Sequence, residues 1–241
     1  MLKQLKNIIK TQLLKRVFNN ELKIFRQLND DRFSIKNEDL RPCLFDKTKF
    51  TAFDSHYVYH PAWAMRVIKQ INPEKHIDIS SSLYFCANLS AFIPTEFYDY
   101  RPAKLNLSNL NSMEGNLRAL PFEDNSLMSI SCMHTIEHIG LGRYGDILDA
   151  KGDLKAIEEL KRVCAINGNI LFVTPIGKPR IEYNAHRIYA PNMIIDYFKG
   201  YKLLDFSFVD DNGNFISNSN INEAQNLNYG CGCFWFNKTN E

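Results

Sequence analysis

The run H-T-I-E-H-I-G-L-G-R-Y-G-D, residues 134–146, concentrates groups able to move a proton or hold a polar molecule. His134, Glu137 and His138 offer a general base, because imidazole and carboxylate accept a hydroxyl proton and can return it. Arg143, Tyr144 and Asp146 offer binding groups, while Gly140, Gly142 and Gly145 permit a tight loop. Glu137 and His138 are adjacent, so on a helix they point about 100° apart and need not form a dyad. The run Y-N-A-H-R-I-Y, residues 183–189, adds His186 as a second candidate base and Arg187 as a candidate substrate contact. A third run, D-S-H-Y-V-Y-H-P-A-W-A at 54–64, brings His56, Tyr57 and His60 as candidate substrate contacts. Trp63 reads equally well as core, with those histidines as surface. Asp146 and Asp149 with His138 are donors a divalent ion accepts, but such oxygen-rich spacing is common in loops, and no metal is assigned.

The elements that must position these residues follow from the apolar pattern. Residues 2–28 read as an amphipathic helix, with Leu5, Ile9, Leu13 and Val17 near helical spacing. Residues 29–55 are polar and irregular, an arm. A helix is then expected to enter through Pro61 and to stop near Asn72-Pro73. Beyond it, strands at 76–79, 96–100, 110–114, 127–133 and 169–173 alternate with helices at 83–92, 154–163 and 192–198. Strands at 201–208 and 229–236 follow, close enough to suggest an antiparallel hairpin edge. Alternating strands and helices imply an α/β fold, a doubly wound and mostly parallel seven-stranded sheet with an antiparallel edge strand. The expected organisation is an N-terminal helix and arm over 1–55, and one α/β domain over 56–241.

Composition bounds the function. The 241 residues carry 29 Lys and Arg against 27 Asp and Glu, a net charge of +2 that does not argue for nucleic acid as partner. No N-P-P-Y or D-P-P-Y block for base methylation occurs, and no G-x-G-x-x-G for a nicotinamide cofactor. None of the six cysteines forms a C-x-x-C pair, which fits a reducing cytoplasm. Cys231 and Cys233 alternate along a strand and face the same way, but two thiols alone are a thin metal site. The N-terminal lysines interrupt every apolar run, so no secretory signal or membrane span is expected. That basic helix has two readings, a weak contact with an anionic membrane face or a helix packed on the domain with solvated lysines.

In open α/β sheets ligands bind beyond the carboxyl ends of the strands. The first strand ends in Asp78-Ile79-Ser80-Ser81-Ser82, and the second ends at Asp99, about 20 residues on, where an acid accepts bonds from ribose hydroxyls. The block G-N-L-R-A-L-P-F-E-D-N-S-L (115–127) follows, and later E-E-L-K-R-V-C-A-I-N-G-N-I-L-F-V-T-P (158–175). Over residues 74–210 these segments resemble the class I S-adenosylmethionine-dependent methyltransferases, whose corresponding block reads G-D-A-x-x-L-P-F-x-D-x-S-F. The three runs at 54–64, 134–146 and 183–189 resemble, more narrowly, the methyltransferase-like domain-of-unknown-function family 268.

That resemblance implies S-adenosylmethionine as cofactor, held by Asp78, Ser80, Ser82, Asp99 and His134, with Asn116 facing the adenine amino group and Leu117 packing near the ring. Ser80 and Ser82 stand where the superfamily has glycines, and Met128 where it often has an aspartate. Two functions follow as expectations. One is O-methyl transfer to a hydroxyl of a small polar acceptor, such as a sugar or glycan precursor in polysaccharide biosynthesis, with His138 or His186 as base. The other, favoured by the serines and Met128, is a non-catalytic binding or scaffold module on the same fold.

Overall fold

The computed structural model describes residues 2–28 and 32–240. Positions 1, 29–31 and 241 lie outside the described residues, and so does the expected start of the arm at 29. The chain divides into two units, residues 1–53 and 54–241. In the first, helix α1 (Leu2–Gln27) is followed by irregular chain with one 3-10 turn, Asn37–Asp39. Arg26 donates to Asn37 at 2.9 Å, Lys47 pairs with Glu21, and Leu5, Ile9, Leu13 and Val17 are exposed. Among the described residues no helix is long and apolar enough to cross a membrane.

The second unit opens with α2 (Ser55–Ile71). It begins six residues before Pro61, because Asp54 caps it by accepting from the Tyr57 amide. Pro61 is therefore an interior residue and not the helix entry; its missing N–H removes one turn bond that a residue there would otherwise make. Asn72 ends the helix in the left-handed conformation.

Then come β1 (His76–Ile79), α3 (Leu83–Leu89), β2 (Thr95–Asp99), β3 (Leu110–Glu114) and β4 (Leu127–Met133). The 3-10 turn Ile136–His138, α4 (Gly152–Val163) and β5 (Cys164–Ile176) follow. A small hairpin of β6 (Arg180–Glu182) and β7 (His186–Ile188) precedes α5 (Pro191–Tyr197), β8 (Tyr201–Val209), β9 (Phe215–Ile216) and β10 (Gly230–Lys238). β5 is longer than its pattern suggested. It runs through Asn167-Gly168, where Asn167 turns left-handed and the pairing with β4 shifts register.

The main sheet has the order β3-β2-β1-β4-β5-β10-β8-β9, with β1 to β5 parallel. β10 pairs antiparallel with both β5 and β8, so the last long strand is an interior strand, and the two-residue β9 adds an eighth at the edge. A clean alternation of side chains dictates this. Ile170, Phe172, Phe234 and Phe236 pack with Ile157 and Leu160 of α4 and Ile194 of α5. Leu171, Val173, Cys231 and Cys233 pack with Trp63, Val67 and Ile68 of α2 and Phe85 of α3. Both faces of β10 are thus apolar, as suits a strand buried on both sides.

Candidate functional site

Two groups of predicted residues meet at the carboxyl ends of the parallel strands. The first surrounds the β1 turn. β1 and β2 are neighbours, with Ile79 opposite Tyr98, so Ser80 and Asp99 end adjacent strands. Ser80 has φ +57, the left-handed conformation that glycine adopts most readily. The glycine-type turn is therefore present without the glycine. Its cost is offset by the bonds that pin it: the Ser80 amide and hydroxyl both donate to Tyr98 O (2.8 and 3.1 Å), and Thr135 Oγ1 donates to Ser80 O (2.9 Å).

Asp78 is fully buried; one oxygen accepts from the Ser81 amide at 2.9 Å, and the other from the Ser131 hydroxyl. It shapes the turn from beneath and has no surface to offer a ligand. Ser82 caps α3. Asp99, half-buried, accepts from the Arg101 amide with Oδ1. Asn116 is exposed and its Oδ1 accepts from the Arg118 amide, while Leu117 is buried in the core with Tyr98. A groove of about 560 Å³ lies beside this turn, between α2 and α3, and Tyr57, Ser82, Tyr84 and Phe85 line part of it.

The second group follows β4. Five of the six histidines lie here, the exception being His76, which is buried within the sheet. His134 has φ +54 and its Nδ1 stands 2.9 Å from Glu137 Oε1. Glu137 is only 1% exposed, so it serves its neighbours and not a substrate directly. Burial opposes a charge on each, yet the contact wins. Cys231 and Glu137 together raise the pKa of His134, and His134 lowers that of Glu137.

His138 lies 3.9 Å from the same carboxylate, and its Nδ1 is 2.7 Å from Ala185 O. Burial lowers its pKa, keeping the ring neutral. The rings of His138 and His186 stand edge to face at 6.4 Å, and Tyr144 meets His138 at 5.6 Å. The structure brings both predicted bases together, with Arg143 donating to Ala185 O beside them.

Three predicted contacts have other occupations. Arg187 is 5% exposed; it donates to Ile139 O at 2.7 Å and lies 3.5 Å from Asp153, so it anchors the loop after β4. Asp146 accepts from the Gly140 amide at 2.6 Å and shapes the same loop. Gly140 is required there, since a Cβ would lie 2.1 Å from Asp149 O. His60 is buried, with Nδ1 bonded to His56 O and Nε2 without a partner. Burial, then His134, drives its pKa well down, and the same causes lower His56 to about 4.

Sequence reasoning noted Cys231 as a strand thiol but did not place it beside His134. Its sulfur lies 3.3 Å from His134 Nε2, across 97 residues of chain. The only available signal was its alternation with Cys233, which gives a face but not a neighbour.

The family model described as "Caenorhabditis protein of unknown function, DUF268" matches residues 105–230, more than half of the chain. The chain belongs to the DUF268 family. No curated protein matches the DUF268 chain in sequence. Among solved structures it resembles the YcgJ protein of Bacillus subtilis, with 14% identity and a TM-score of 0.52 over 75% of this chain and 100% of that one. It also resembles geranyl diphosphate C-methyltransferase from Streptomyces coelicolor, a structure with S-adenosyl-L-homocysteine, with 10% identity and a TM-score of 0.51 over 74% of this chain and 76% of that one. The fold of this DUF268 chain is that of the class I S-adenosylmethionine-dependent methyltransferases.

Proposed function

We propose that this DUF268 chain is an S-adenosylmethionine-dependent methyltransferase that O-methylates a hydroxyl of a small polar acceptor such as a sugar or glycan precursor. The reading is carried by the left-handed backbone of Ser80 at the end of β1, set beside Asp99 at the end of β2. An acid in that place suits ribose hydroxyls, and the exposed Asn116 lies on the following segment for an adenine edge. S-adenosylmethionine carries no phosphate, so the turn does not need the bare amides of a pyrophosphate site. Because the Ser80 hydroxyl is engaged by Tyr98 O, the turn would meet the ligand with backbone and not with that side chain.

S-adenosylmethionine, when bound, supplies an already activated methyl group. The protein's part is then alignment, exclusion of water and removal of one proton. In this reading His138 is the base. Ala185 O holds a proton on Nδ1, which leaves the lone pair on Nε2, the nitrogen 3.9 Å from Glu137 Oε1, to take the acceptor's proton. Arg143 and Tyr144 orient that acceptor, and their donors suit a polyol or an anion. His186 stands close enough to share the task.

Calorimetry of the full chain with S-adenosylmethionine and its demethylated product tests the reading. Binding that Asp99→Ala weakens by tenfold or more is expected; no heat with either ligand at millimolar concentration rejects it. An acceptor screen must follow, and full turnover by both His138→Ala and His186→Ala would remove these bases. A second reading, a non-catalytic module on this fold, is favoured by the Ser80 and Ser82 hydroxyls being spent inside the protein. Binding without turnover on any acceptor would select it.

A further inference from the structure

We propose that His56, His134 and Cys231 form a zinc site at the carboxyl end of the sheet, with Glu137 as the outer carboxylate that orients His134. One ligand atom from each of the three residues lies within 4.8 Å of the others. They come from α2, from the residue that follows β4 and from β10, three segments that packing brings to one place. The Nε2–Sγ separation of 3.3 Å is close to the distance between two ligands on one tetrahedral zinc ion, about 3.5 Å from the usual bond lengths. Closing the set requires His56 to shift by about an ångström on the same geometry. Its ring is stacked between His134 (5.7 Å) and Tyr229 (5.4 Å), a contact that permits sliding.

The surroundings match a metal site better than a simple polar cluster. A ligating histidine almost always donates its other ring N–H to a carboxylate, a backbone carbonyl or water, and His134 Nδ1 lies 2.9 Å from Glu137 Oε1. That bond turns Nε2 toward Cys231. Two further polar atoms are buried here without partners, Glu137 Oε2 and His60 Nε2, and the His60 ring meets that of His134 at 4.9 Å. Buried polar groups are rarely left so, and each calls for a partner that the protein itself does not supply.

Two nitrogens and one sulfur are borderline-to-soft donors, which select zinc over magnesium or calcium. On binding, the His134 Nε2 proton and the Cys231 thiol proton leave to solvent, and three bonds to the ion form. Three protein ligands leave a fourth position for water or an acceptor oxygen, the pattern of catalytic zinc. The same geometry could be read as a Cys–His–Glu nucleophile triad, but Cys231 has no exposed surface for a substrate.

The proposal does not depend on the methyl-donor reading, and its test contains no S-adenosylmethionine. The full chain is purified, stripped with a chelator and titrated with Co²⁺, then with Zn²⁺. The expected result is one ion per chain, a near-ultraviolet thiolate-to-cobalt band with strong visible bands, and full displacement by zinc. Cys231→Ser should abolish the thiolate band, and His56→Ala should weaken zinc binding at least tenfold. Glu137→Gln should weaken it about ten- to a hundredfold, as loss of an outer partner does. Cys43→Ser, at an exposed cysteine of the N-terminal unit, should leave the spectrum unchanged. Should a variant fail to fold, the stripped wild type still decides, through its spectrum and a rise in melting temperature with zinc. No thiolate band in the wild type, or a band that survives Cys231→Ser, overturns the site.

Discussion

Two buried histidine–carboxylate groups, His76 with Asp78 and His134 with Glu137, behave in opposite ways. Within the sheet, His76 and Asp78 never touch, because Ser131 stands between them. His76 Nε2 is 2.8 Å from Ser131 Oγ, the Ser131 hydroxyl donates to Asp78, and Ser129 Oγ meets His76 Nδ1 at 2.8 Å. Both ring nitrogens have partners, and burial alone moves the titrations. It lowers His76 to about 3 and, against the bonds from Ser131 and Ser81, raises Asp78 to about 6. Just past the carboxyl end of β4, His134 and Glu137 touch directly, and their shifts run the other way: the histidine rises and the acid falls. Neutral hydroxyls between two ionisable groups make a closed structural network. Direct contact makes a charged pair, and here it leaves Glu137 Oε2 without a partner. Here the closed network lies within the sheet, and the open valence lies among the histidines that follow β4.

That contrast can be broken by measurement. Asp78→Ala should show the largest effect, a loss of about 4 kcal/mol in urea denaturation at about pH 4, where the buried carboxyl is neutral, since two bonds to it vanish together. Glu137→Gln, which keeps an acceptor for His134, should cost less than half as much; the reverse order would dissolve the distinction.

The pH dependence follows in size. His76 is harder to protonate folded than unfolded, so its contribution is complete above pH 6.5 and is lost as the pH falls toward 3. Asp78 has a raised folded pKa, so its contribution is present in acid and lost as the pH rises from about 4 to about 6. The two oppose each other across that window. Between pH 7 and 4, His76→Gln should therefore gain about 3 kcal/mol relative to the wild type, at 1.36 kcal/mol per unit. Parallel midpoint-against-pH curves for the two proteins would show that His76 is not sealed. The smallest effect concerns the seam between the regions. Ser80→Val forces a branched side chain into φ +57 and should cost about 2 kcal/mol, while Ser80→Gly should be neutral within about 1 kcal/mol. Equal stability of the two variants would mean the turn relaxes.

Much of this architecture could be read from local pattern. β1, β3 and β4 fall where the apolar runs put them, and the loop after β4 holds His134, Glu137 and His138 as the sequence suggested. The entry of α2 was misplaced because Pro61 is a strong local signal, while the Asp54 cap that sets the true start is a weaker one. The occupations of Asp78, Arg187 and Asp146 were also illegible. A charged residue in a motif looks the same in sequence whether it faces a ligand or a backbone carbonyl.

The amino-acid order alone determined the α/β class, the parallel run of strands and the place of His134 and His138 after β4, because helix and strand periods are set by neighbours two to four residues apart. Only the tertiary structure decided that β10 enters between β5 and β8. That insertion carries Cys231 to His134. Strand insertion and register depend on contacts between distant segments, and no local period encodes them.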